Sequence, residues 1–124
     1  MYKMNLIKNI IILNGIYDIL CSLSIIHIIP IPILDNLHIG MFLEPVTIEY
    51  RHLLAYFIFV NGVIRLIGGY YIKNIIISMI VAFSYFIEAG YVLYETIYTK
   101  NIIEEKGYFV IVFSLFLGAL VFYI

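Results

Sequence analysis

The stretch that decides the fold is Val60-Asn61-Gly62-Val63-Ile64-Arg65-Leu66-Ile67, because it sets a guanidinium in the middle of an apolar run from His52 to Tyr71. At the centre of a membrane-spanning helix an arginine costs about 2.5–3.5 kcal/mol on insertion scales, so Arg65 needs partners and shelter from lipid. It predicts a bundle of spans closed around a polar seam. The composition agrees: of 124 residues, 65% are hydrophobic and only 12% charged, with a mean hydropathy of +1.09. A soluble domain would carry charge on about a quarter of its residues. The expected fold is all-α, an integral membrane four-helix bundle forming one domain over residues 1–124.

A net charge of -1 gives neither a nucleic-acid footprint nor a basic lipid-binding patch. The single cysteine, Cys21, excludes an internal disulfide and any CxxC redox or zinc arrangement. Heavy use of Ile, Asn, Lys and Tyr suggests an AT-rich coding sequence.

Working outward, the spans are expected at about 9–29, 52–71, 75–94 and 107–124, each close to the length a bilayer core of about 30 Å requires. The lysine-flanked start resembles a signal peptide, but the first run is too long and lacks a small-x-small cleavage site, so a retained span is expected. Pro30 and Pro32 end it. Residues 30–51 form the longer polar loop, with enough apolar side chains for part of it to lie in the membrane interface. A tight Lys73-Asn74 turn makes spans two and three antiparallel neighbours, and residues 95–106 form the second polar loop. Lys3, Lys8 and Lys73 fall on one face, and Arg51, Lys100 and Lys106 on the other with most of the acidic residues. Basic residues therefore tie, and both termini are expected on the cytosolic side. The membrane of residence is left open.

Removing the loop charges from the seven basic and eight acidic residues leaves Asp18, Arg65 and Glu88 at membrane depth. Counting rise along each span puts Asp18 and Arg65 nearly level, with Glu88 one to two turns away. Asn14-Gly15 followed by Asp18 echoes Asn61-Gly62 followed by Arg65. Because the spans are antiparallel, Asn14 can lie level with Arg65 and Asp18 with Asn61, a crossed polar clasp. Gly15, Ala55, Gly62, Gly69, Ala82 and Ala89 are the small residues expected to let helices approach closely. The cluster Asn14, Asp18, Asn61, Arg65 and Glu88 supports three readings: a buried pair that fixes helix register, a proton or ion pathway, or a pocket for a lipid or sterol. No catalytic set is visible and no cofactor is expected. His27, His38 and His52 all belong near the acidic face, but their spacing matches no metal-ligand pattern. The fourth span, with Ser114 alone as a central polar side chain, is expected to carry no chemistry.

From Arg51 to Thr96 the chain resembles the Erg28 family of small four-span endoplasmic-reticulum proteins. The resemblance is carried by Gly62-Val63-Ile64-Arg65-Leu66, then Tyr70, Ile72 and Asn74, and Ala82-Phe83, Phe86, Glu88 and Thr96. Tyr85 stands where that family tends to have histidine, and its early tryptophan is missing here. An arginine followed by glycine in one span and a glutamate in the next is also similar to DoxX-like four-span proteins. The Erg28 resemblance implies a non-catalytic scaffold for sterol-modifying enzymes, resident in the endoplasmic reticulum. Its partners would be membrane lipids, sterol among them, and another membrane protein or a second copy of the chain. The alternative expectation is a small transporter or channel for protons, ions or a solute, using Asp18, Arg65 and Glu88.

Overall fold

The computed structural model describes residues 2–123. Its elements are α1 (Tyr2–Ile25), α2 (Pro32–Ile39), α3 (Ile48–Tyr70), α4 (Ile75–Leu93), which continues as a π-helical turn over Tyr94–Tyr98, and α5 (Glu104–Phe122). The four long helices are apolar and long enough to cross a membrane, and no strand forms among the described residues beyond one isolated bridge. The fold is an all-α four-helix bundle.

Local chemistry moves several boundaries from where the sequence suggested. The first span stops at Ile25 and not at residue 29, because His27 takes a left-handed conformation (φ 62°). His27 N–H then donates to the Ser24 carbonyl at 3.1 Å and Ile28 N–H to the Leu23 carbonyl at 2.9 Å. That is a Schellman closure, which proline commonly follows and need not cause. The longer polar loop is partly folded: Pro32 opens α2 in the first helical turn, where its missing donor costs nothing. α3 begins at Ile48, earlier than residue 52, because the Thr47 hydroxyl accepts from Tyr50 N–H. The Lys73-Asn74 turn lies where expected, with the Asn74 side chain capping α4 through Ile76 and Ile77 N–H. Past residue 94 the chain stays helical through Tyr98, and α5 opens at Glu104, where Glu104 and Glu105 complement the positive end of the helix dipole.

α1 packs along α3 and α4 along α5, and the α3–α4 contact joins the two pairs. Where α1 crosses α3, Gly15 and Gly62 let the backbones touch, and Gly69 faces Ile12 farther along the same seam. Ala55, Ala82 and Ala89 are buried between helices. At one end the two polar loops meet: Phe42 bridges Ile102, and Ile103 N–H donates to the Met41 carbonyl at 2.8 Å. At the other end Lys8 lies over the Tyr70 ring, 5.5 Å from its centroid, beside the α3–α4 turn. The outer surface is apolar on every long helix, with Leu13, Leu53, Ile67, Phe83, Phe109 and Val112 all exposed. Such a continuous apolar exterior suits lipid and not water. The chain is a small polytopic membrane protein.

Candidate functional site

Arg65 is 1% exposed and sits at the meeting point of all four long helices. One guanidinium nitrogen donates to Asp18 Oδ2 on α1 at 2.5 Å, and the other terminal nitrogen to Glu88 Oε2 on α4 at 2.9 Å. Nε donates to Ser84 Oγ at 3.2 Å, and the guanidinium carbon lies 3.8 Å from the centroid of the Tyr85 ring. Stacking on an aromatic face and forking to carboxylates are what a planar guanidinium does and an ammonium does not. The Tyr85 hydroxyl donates to Asn14 Oδ1 at 2.5 Å, and Ser114 Oγ on α5 donates to Glu88 Oε2 at 3.1 Å.

Three sequence expectations change at this point. Glu88 is a direct partner of Arg65, although counting rise put it one to two turns away. Side chains lean toward their helix N-terminus. On antiparallel α3 and α4 this tilts Arg65 and Glu88 toward each other, an effect that counting along the axis omits. The crossed clasp does not form as drawn: Asp18 binds Arg65, but Asn14 is taken by Tyr85, and the buried Asn61 amide nitrogen has no partner. The fourth span does contribute, through Ser114. Ser84 and Tyr85 were not among the expected cluster residues. Both lie on the face of α4 that carries Glu88, at i−4 and i−3, and helical spacing could have found them.

The three histidines do not come together. His27 Nε2 is 3.2 Å from an Arg51 guanidinium nitrogen, His52 is exposed on α3, and His38 on α2 lies under Tyr17 with ring centroids 6.2 Å apart. Among the described residues no three His, Cys, Asp or Glu side chains converge in a metal-binding group. Burial holds the His38 imidazole below its usual pKa, with the Glu88 charge acting in the opposite sense, and its Nδ1 is buried without a partner. Arg51 ties the loop end together: one of its nitrogens reaches the Ile25 carbonyl at 3.0 Å and both Asp35 oxygens at 2.9 and 2.8 Å, fastening α2 to the ends of α1 and α3.

Because the two helix pairs meet mainly through α3 and α4, a gap remains on the side where α1 faces α5. It is a cavity of about 820 Å³. Asn14, Asp18, Glu88 and Ser114 border its inner end, α2 flanks it through Ile33, Leu37 and His38, and Glu105 and Lys106 stand on its rim. From Ser114 to Lys106 the lining runs about 12 Å along α5 at 1.5 Å per residue. Arg65 is not among the lining residues: Asp18 and Glu88 stand between it and the space. The site can therefore enclose a small lipophilic molecule with carboxylate oxygens facing its inner end.

Comparison of the chain with family models, with curated proteins and with solved structures found no match.

Proposed function

We propose that this membrane protein holds a small lipophilic ligand in the cavity between its two helix pairs, without transforming it. The observation that carries this reading is the cavity itself. A chamber of about 820 Å³ is within the usual range of ligand sites, mostly apolar with a few convergent polar groups. The polar groups at its inner end are largely spent on one another, Arg65 on two carboxylates and Tyr85 on Asn14, which supports holding over chemistry. A non-catalytic role is common to this reading and to the scaffold for sterol-modifying enzymes that the Erg28 resemblance implies.

The test uses N-phenyl-1-naphthylamine, a neutral lipophilic dye that brightens in apolar sites, with the purified protein in detergent. Saturable brightening is expected, and Val110→Trp, which pushes an indole into the cavity, should weaken it at least tenfold while helical content is retained. Equal binding by a folded Val110→Trp variant would show that the dye sits elsewhere and would refute this reading.

A second reading is favoured by one specific feature. The Glu88 side chain, 18% accessible, borders the cavity deep in the bundle, and intramembrane carboxylates often mark conduction routes. In that reading Asp18, Arg65 and Glu88 pass a proton, an ion or a small solute. Reconstituted protein should then give a flux that Glu88→Gln abolishes, and its absence would dispose of the conduit.

A further inference from the structure

Resting on the ligand-holding reading, we infer that the cavity selects lipophilic organic cations, molecules that spread one positive charge over an apolar or aromatic frame. Two independent features point this way. The first is charge. At the inner end one guanidinium faces two carboxylates, Asp18 and Glu88, and at the rim Glu105 is matched by Lys106, so by formal charge the surroundings of the cavity carry one excess negative charge. The one cation at the inner end is screened from the space: Arg65 donates to Asp18, Glu88 and Ser84, stacks on Tyr85 and does not line the cavity, so an anionic head group would meet Asp18 and Glu88 first. The Lys106 ammonium is likewise engaged, donating to the Gly40 carbonyl at 3.2 Å. A carboxylate or phosphate ligand would meet unopposed like charge in a low-dielectric space, whereas a cation would cancel the excess.

The second feature is the wall. Tyr17, Phe42, Phe57, Tyr91, Phe109 and Phe113 border the cavity from four of the five helices and the loop after α2. Aromatic faces attract a desolvated cation through the ring quadrupole, most strongly where water is excluded, and aromatic enclosures are the recurrent solution for quaternary ammonium groups. A purely hydrocarbon ligand would need only aliphatic walls and no ionised floor. The carboxylates supply the charge, and the rings replace the water that a diffuse cation loses.

The experiment compares isosteric ions against the neutral dye at pH 8. Tetraphenylphosphonium and tetraphenylborate share shape and differ in the sign of their charge. The cation should displace N-phenyl-1-naphthylamine at a concentration at least tenfold lower than the anion. Glu88→Gln should raise the concentration of cation needed about tenfold more than it changes that variant's own affinity for the dye. Phe57→Leu, which keeps the wall apolar and leaves the ion cluster untouched, should weaken the cation several-fold more than it weakens the dye, and it serves where Glu88→Gln does not fold. Dye binding with equal displacement by the two ions, or stronger displacement by the anion, would overturn the cation inference and leave the ligand-holding reading intact. Failure of the dye and both ions to bind would remove that reading itself.

Discussion

Gly15 and Gly62 meet backbone to backbone: a Cβ on Gly15 would fall 2.7 Å from the Gly62 carbonyl oxygen, and one on Gly62 would fall 2.9 Å from the Gly15 carbonyl oxygen. Neither obstruction can rotate away, so the α1–α3 seam must open to admit even a methyl group. Gly15→Ala and Gly62→Ala should each cost about 1–3 kcal/mol, the usual range for overpacking. Gly90→Ala is the control, since nothing lies within 4 Å of its added Cβ, and it should be neutral or stabilising by about 0.5–1 kcal/mol through helix propensity. Reversible unfolding in mixed micelles measures all three. Equal effects at Gly62 and Gly90 would mean the close crossing is not what holds α1 to α3.

The bridging position of Arg65 sets an unequal order among the charge variants. Arg65→Leu strands the buried Asp18 carboxylate and the half-buried Glu88 carboxylate and should cost about 3–5 kcal/mol. Asp18→Asn leaves Arg65 and Glu88 as a balanced pair, so its cost should be on the order of 1 kcal/mol. Replacing Asp18 and Arg65 together with leucine removes one ion pair but not all of the stranded charge. With Glu88 also bound to Arg65, that double variant still strands one carboxylate, and only the triple replacement, with Glu88→Leu, should recover stability. The same unfolding measurements decide it, and Asp18→Asn proving as damaging as Arg65→Leu would contradict the shared geometry.

The meeting of the two polar loops predicts topology. Phe42 and Ile102 are paired, so both loops lie at one end of the bundle, and the α3–α4 turn lies at the other. Cysteines introduced at Asn36 and Lys100 should label from the same side of the membrane, and one at Lys73 from the opposite side. A cysteine pair replacing Phe42 and Ile102 should crosslink on oxidation. Labelling of positions 36 and 73 from one side would defeat the four-span arrangement.

The bundle was legible because hydropathy dominates this chain: apolar runs of span length leave few other folds, and an arginine within one forces partners into the interior. The Asn74 turn was legible because an asparagine between two apolar runs caps a helix through its own side chain. The closure at His27 was not, since a left-handed histidine has no pattern to distinguish it from one inside a helix. Nor was the cavity, which is set by which helices pair. The repeated Asn-Gly element points to α1 against α3, but nothing in the sequence says that α4 takes α5, and that pairing leaves α1 and α5 apart. The role of Arg51 escaped notice for a similar reason. It reads as a loop charge until the fold brings Asp35 and the Ile25 carbonyl to it.

His38 supplies a prediction in pH. It lies on α2 beneath Tyr17, burial holds its imidazole below the usual value, and the Glu88 charge opposes that shift without reversing it. The folded protein therefore prefers the neutral ring, while the unfolded chain titrates near the ordinary value of about 6.5. Above that pH both states are neutral and the residue adds no pH dependence. As the pH falls below it, the unfolded chain binds the proton first, so stability declines until the folded-state value is reached. Thermal unfolding between pH 8 and pH 5 should thus show a loss on acidification that His38→Gln reduces, because glutamine keeps a polar side chain there and cannot titrate. Tyr17→Leu should leave the loss in place, since Tyr17 contributes a ring contact and not a charge. A His38→Gln variant with the same acid-dependent loss as the parent would show that His38 is not the source of that loss.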